Sequence, residues 1–336
     1  MFQLIKYKDG PILVPDKNLP WETEGVFNPG IVKVNDEVVM LYRAVGERDS
    51  YISRFGLAKS KDGINFVRVS DKPVFSPKEF FDKGAVEDPR ITKIDDDYFI
   101  TYVAVPDAIV ENGRPIERFL PLETLSALLK TKDFISYENL GVISPANSDN
   151  KDIVIFPKKI NGKYAMLHRP NRWTKTWIGS SFAKHVDEGL PVPVSELPDV
   201  PGIWIAWSDD LLHWRDHTLL MKPSHPGDAK IGPGLPPIET PDGWLIIYHH
   251  VTKDDKTNEF KYTARAALVD LKDPTKLVSR LEYDILSPTE PYEKNIVFPT
   301  GGFVDGDILH VYYGAHDCSV GLATGSIKKL LEALRA

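Results

Sequence analysis

Asp88, Arg43, Arg169, Lys230 and His249 lie far apart in the chain, yet each occupies an equivalent place in a recurring stretch of sequence. Asp88 stands in Glu-Asp-Pro-Arg and Asn28 in Phe-Asn-Pro-Gly. Arg43 and Arg169 follow apolar runs, His249 ends another, Lys230 precedes Ile-Gly-Pro-Gly-Leu-Pro-Pro, and Asp317 closes Tyr-Tyr-Gly-Ala-His-Asp. Brought together, one carboxylate, two arginines, a lysine and a histidine form a charge cluster. Such a cluster is costly to bury without a ligand or a fully satisfied network. The competing structural reading is an ion pair between neighbouring repeats, Asp88 with Arg90, with Arg43 or Arg169 in the same role. No serine elbow, Gly-rich phosphate loop or P-loop is present. No His/Cys/Asp spacing resembles a zinc site, so no metal is expected.

The elements that must position these residues repeat five times: a strand, a tight polar turn, a second apolar strand, then later strands. The second strands are VVMLYRA, YFITYVAV, YAMLHR, WLIIYHH and ILHVYYGA, each preceded by Asn, Asp or Gly turn residues that tolerate positive φ. Five such units predict an all-β, five-bladed β-propeller with a short C-terminal helix. The whole of 1–336 reads as one domain, with blades at roughly 27–77, 86–145, 153–223, 230–288 and 297–325. Residues 1–25 form an N-terminal extension that closes the ring or crosses to a partner subunit, and 326–336 form the helix, with Ser326 as N-cap.

Aligned on Pro29, Pro89, Pro157, Pro237 and Pro299, the first strands start at Asn28, Asp88, Phe156, Pro236 and Phe298. The paired second strands end at Arg43, Val103, Arg169, His249 and Gly314, with Asp317 just beyond. A propeller places both columns on one face near the axis, which predicts a single asymmetric mouth. The Ser/Thr-x-Asp turns at 60–66, 131–137 and 208–214 read as peripheral structural turns, and His213, His217 and His225 as peripheral too.

The net charge of −7, without a dense basic run, argues against nucleic acid as a partner. The single cysteine, Cys318, excludes an internal disulfide and reads as a packed residue. The first residues lack a signal-peptide pattern and no stretch approaches the roughly 20 apolar residues of a membrane span, so a cytoplasmic location is expected. The Pro-rich stretches 106–124 and 171–201 are long enough to serve function or assembly.

The FNPG, EDPR, IGPGLPPI and YYGAHD motifs, with the S-x-D-G-x-x-F turns, resemble glycoside hydrolase family 130 over roughly 25–325. That resemblance implies inverting phosphorolysis of a non-reducing-end β-mannoside to α-mannose 1-phosphate. It implies Asp88 as the general acid, delivering its proton through the mannose 3-hydroxyl. It implies Asn28, Arg43 and Asp317 around the mannosyl unit, and Arg169, Lys230 and His249 around phosphate. Pro170 stands where some members offer an amide to phosphate. No cofactor is implied; inorganic phosphate is the co-substrate.

The residue census fits. An inverting glycosidase needs an acid and a base, whereas a phosphorylase replaces the base with cations that orient an anionic nucleophile. A hydrolase on the same propeller would need a second carboxylate opposite Asp88, for which Glu87 and Asp107 are conceivable. A non-enzymatic carbohydrate-binding propeller would repeat its binding residues in every blade. The preferred substrates are β-1,4-mannooligosaccharides, then β-1,4-mannosyl-N-acetylglucosamine, with β-1,2 linkages as the alternative. Trp173, Trp177 and the 106–124 stretch are candidate walls for the acceptor sugar, and a homo-oligomer is expected.

Overall fold

In a computed structural model, residues 1–47, 51–106, 108–111, 114–118, 124–145, 147–173 and 197–336 are described, with 108–118 as backbone alone. Five antiparallel sheets stand around an axis. Their innermost strands are Gly25–Val34, Ala85–Ile94, Ser148–Ile155, Asp228–Pro233 and Val297–Asp305. Each pairs with a second strand, respectively Glu37–Val45, Asp97–Val105, Tyr164–Trp173, Gly243–Lys253 and Ile308–Ala315. Third strands follow outward, including Leu125–Thr131, where the amphipathic sequence could have passed for helix.

Apolar residues on both faces of each sheet explain why the sheets cannot stand alone. Five buried clusters form, one at each junction between neighbouring blades. The ring is closed by the N-terminal segment: Ile5–Lys6 pairs with Ser319–Ser326 as the outermost strand of blade five. Ile327–Arg335 is the one helix among the described residues; Ser326 Oγ accepts from Lys329 N, and Leu330, Leu331 and Leu334 are buried. No helix among these residues is long and apolar enough to cross a membrane.

A recurrent latch joins the connector to the blade in three of the five blades. Tyr42, Tyr102 and Tyr313 donate to the buried carboxylates of Glu22 (2.8 Å), Asp82 (2.9 Å) and Glu293 (2.7 Å). The same carboxylates accept backbone N–H groups of the preceding turns, as Asp82 does from Lys78 and Glu79. A buried carboxylate is tolerated because its lone pairs are satisfied. In blade three the corresponding position is His168, whose Nε2 lies 3.0 Å from Nδ1 of His217. His217 lies on Arg215–Met221, the outermost strand of blade three, peripheral as the sequence reading had it, but its side chain is buried against His168. The Ser/Thr-x-Asp turns behave as expected: Asp62, Asp133 and Asp210 each accept two backbone N–H groups from the residues that follow. Cys318 is exposed on the turn after Ile308–Ala315, not packed as the sequence reading had it.

Candidate active site

The site is built on a backbone irregularity. In blades one to three the inner strand bulges against its partner, leaving two residues opposite one: after Phe27, after Glu87 and after Lys151. The first bulged residue has positive φ in each case: Asn28 (47°), Asp88 (51°) and Asp152 (63°). Asn and Asp tolerate this conformation best among non-glycine residues, and a bulge re-aims a side chain out of the pleat. Three polar side chains are thereby placed at the mouth of the central channel. Two glycines make the room. A Cβ on Gly314 would lie 1.8 Å from Asn28 Oδ1, and one on Gly232 would lie 2.4 Å from His249 Cε1.

The register corrects the alignment made from sequence. Phe156 and Pro236 are not the starts of their inner strands; Lys151 faces Arg169, and Gly232 faces His249. Blade three begins at Ser148 and not near 153. The proline used as the marker follows the bulge directly in blades one and two, but lies several residues further on in blades three and four. Asp152 was missed for this reason. A usable signal was present, since Asn28-Pro-Gly-Ile31, Asp88-Pro-Arg-Ile91 and Asp152-Ile-Val-Ile155 share an Asn/Asp three residues before Ile.

Asn28, Arg43 and Asp88 meet directly and are all buried. Asp88 Oδ1 accepts from Asn28 Nδ2 at 2.8 Å and from Arg43 Nη1 at 3.1 Å. Arg43 also donates from Nη2 to Glu87 (2.8 Å), and Lys151 Nζ donates to the other Glu87 oxygen at 3.1 Å. The guanidinium of Arg43 stacks 4.9 Å above the Phe27 ring. Asp317, on an exposed turn with positive φ, lies within electrostatic reach of Arg43, Asp88 and Glu87. Arg90 does not pair with the Asp88 carboxylate. It donates to the backbone carbonyls of Asp88 (2.9 Å) and Gly234 (3.1 Å), and to Asp152 Oδ1 (3.0 Å).

Arg169, Lys230 and His249 gather on the other side around Asp152. Arg169 donates to Asp152 Oδ2 from Nε (2.9 Å) and Nη2 (2.6 Å). His249 Nε2 is 3.7 Å from the same oxygen. Lys230 Nζ lies 5.3 Å from the Tyr262 ring centroid, and the His249 ring packs at 4.7 Å on Phe298. Asp152 is held well below the usual carboxylate range: burial opposes ionisation, but Arg169 and Arg90 outweigh it. Loss of water, then Arg169, lowers the Lys230 ammonium to about 8. Burial drives His249 far below its ordinary value, which favours the neutral imidazole. Both His249 ring nitrogens are buried without a hydrogen-bond partner.

Of the other residues singled out in the sequence, Trp173 is half-buried and packs on Trp204 (5.3 Å) and His217 (5.8 Å). Glu87 is ion-paired as described, while Asp107, Trp177 and the side chains of 107–123 lie outside the described residues. No group of three metal-ligating side chains occurs among the described residues.

Chemically, the mouth juxtaposes a carboxylate with an oxygen free of described hydrogen bonds, Asp88, and a cluster of N–H donors around Asp152 suited to an oxyanion. Comparison with known proteins identifies the family. Residues 2–336 match the family model described as beta-1,4-mannooligosaccharide phosphorylase. The chain is 36% identical over 342 residues to 1,2-beta-oligomannan phosphorylase of Thermoanaerobacter sp. (strain X514), covering 98% of this chain and 99% of that protein. It is 34% identical over 341 residues to beta-1,2-mannobiose phosphorylase of the same organism, covering 96% and 97%. Among solved structures, beta-1,2-mannobiose phosphorylase from Listeria innocua in complex with beta-1,2-mannobiose superposes with a TM-score of 0.77 at 29% identity over 99% of both chains. The chain belongs to glycoside hydrolase family 130, among the mannoside phosphorylases.

Proposed function

We propose that this protein catalyses inverting phosphorolysis of a non-reducing-end β-mannoside, with inorganic phosphate as the nucleophile. A phosphate oxygen attacks the anomeric carbon as the bond from that carbon to the leaving oxygen breaks. The bonding pair goes to the leaving oxygen, which takes a proton, and inversion gives α-mannose 1-phosphate. Asp88 is the general acid. Both of its described hydrogen bonds end on Oδ1, which leaves Oδ2 to hold and deliver the proton, directly or through the sugar 3-hydroxyl. Asn28, Arg43 and Asp317 hold the mannosyl unit. Arg169 and Lys230 bind phosphate as cations, and His249 contributes a neutral N–H.

One observation carries this reading over hydrolysis. An inverting hydrolase needs a free carboxylate base across the sugar from its acid. Here the carboxylate across the mouth, Asp152, is fully engaged by two arginines. Glu87 is engaged by Arg43 and Lys151, and Asp317 lies on the Asp88 side. In this reading Arg169 and Lys230 take the place of the base by orienting an anionic nucleophile.

For the linkage, the relatives named above act on β-1,2-mannosides, which makes a β-1,2-oligomannan the first substrate to test. The sequence preference for β-1,4 keeps the support of the family model's description and stands second. The test is a panel of β-1,2- and β-1,4-mannobiose and mannotriose with phosphate in excess. A kcat/KM at least about tenfold higher on the β-1,2 series supports the reading; the reverse ratio would assign the protein to β-1,4 substrates.

A further inference from the structure

We infer that Asp152 and Asn171 are positioning residues that together hold Arg169 so that one edge of its guanidinium is presented to the anion. The inference rests on the phosphate role of Arg169 proposed above. A guanidinium has five N–H donors in a fixed plane. Asp152 Oδ2 takes two of them, from Nε at 2.9 Å and Nη2 at 2.6 Å, along one side. Asn171 Oδ1 takes a third, from Nη1. The two that remain, one on Nη1 and one on Nη2, form the end-on fork that matches two oxygens of a phosphate.

Both clamps are themselves anchored. Asp152 is buried at a positive-φ bulge, and its other oxygen is held by Arg90 at 3.0 Å. Arg90 is fixed in turn by two backbone carbonyls. Asn171 donates from Nδ2 to Asp149 at 3.4 Å, and Asp149 accepts from Thr124 Oγ1 at 2.6 Å. Arg169 thus has little rotational freedom before the anion arrives, which reduces the entropy lost on binding.

Asp152 is negative, and in this placement its electrostatic effect and its orienting effect have opposite signs. Replacing it by Asn makes the site more cationic by one charge. If net charge governed anion affinity, phosphate would bind more tightly. If orientation governs, the amide presents N–H groups to arginines that need an acceptor, Arg169 turns away, and phosphate binds less well.

The experiment measures KM for phosphate and for the mannoside in the wild type, Asp152→Asn, Asp152→Glu and Asn171→Ala. Phosphate binding is followed separately by titration calorimetry with inorganic phosphate. The expected result for Asp152→Asn is a rise of about tenfold or more in phosphate KM and Kd, with mannoside KM within about twofold. Asp152→Glu recovers part of the loss, and Asn171→Ala shows a smaller rise of the same kind. Tighter or unchanged phosphate binding in Asp152→Asn overturns the inference. Should that variant fail to fold, an unchanged phosphate KM in Asn171→Ala, away from the buried bulge, overturns it equally. A wild type that cleaves mannoside at a rate indifferent to phosphate removes the parent reading, and this inference with it; a phosphate-dependent wild type with unresponsive variants removes only the inference.

Discussion

On the blade one and two side of the mouth, Asp88 and Glu87 face Arg43, which reaches them both. On the blade three and four side, Asp152 is the carboxylate among Arg90, Arg169 and Lys230. The same backbone device, a positive-φ bulge, delivers Asp88 to one side and Asp152 to the other. Their surroundings set them apart. Asp88 accepts one charged and one neutral bond, both on the same oxygen, whereas Asp152 has cationic donors on both oxygens. A carboxylate clamped by two guanidiniums cannot readily move a proton, so it serves as a scaffold for cations. A carboxylate with a free oxygen can serve as an acid. The comparison teaches that a repeat can supply equivalent backbone positions and still surround their carboxylates differently, one with an oxygen free of described hydrogen bonds and one held by cations on both oxygens.

The largest effect that would break this contrast is at Asp88. Asp88→Asn should lower kcat by about 10²–10⁴ while leaving the melting temperature within a few degrees. Near-wild-type turnover would remove the acid from this side. Lys230→Ala comes next. Loss of a charge-assisted contact worth about 1.5–3 kcal/mol corresponds to a rise of roughly ten- to a hundredfold in phosphate KM. Mannoside KM should barely change, and equal effects on both would merge the two sides into one subsite.

The pH dependence sharpens the contrast with a smaller effect. In the proposed reading phosphate binding needs the Lys230 ammonium, which burial and Arg169 lower to a pKa of about 8. Phosphate KM should therefore be flat below that value and climb as pH rises through it, with mannoside KM unaffected. Lys230→Arg, which stays charged throughout, should flatten the climb; a profile unaltered by that substitution would assign the titration elsewhere. The smallest effect is expected outside both sides. Tyr102→Phe removes the latch to Asp82 and should cost about 1 kcal/mol in denaturant unfolding, with both KM values unchanged. A change in either KM would mean that the latches tune the mouth.

Much of this was legible in the residues themselves. The period-2 runs and Asn/Asp/Gly turns specify hairpins, and five hairpins specify a ring. The prolines after Asn28 and Asp88 mark the bulges, so the sugar-side residues could be found by eye. Asp152 was hidden because Ile153 stands where those prolines are, and the marker slid to Pro157. The neutrality of His249 was not legible either. A histidine at the end of an apolar strand can be exposed and cationic or buried and neutral, and only the packing of Phe298 and Tyr262 against it decides. The N-terminal strand that closes the ring is two residues long, too short to carry a periodic signal.

The most direct measurement follows bond cleavage in β-1,2-mannobiose by proton NMR, with and without inorganic phosphate. The account predicts one α-mannose 1-phosphate for each bond broken, and negligible cleavage when phosphate is left out. Free mannose released at the same rate in both samples would contradict it, and would require a base on the side of the mouth where Asp152 is locked between its arginines.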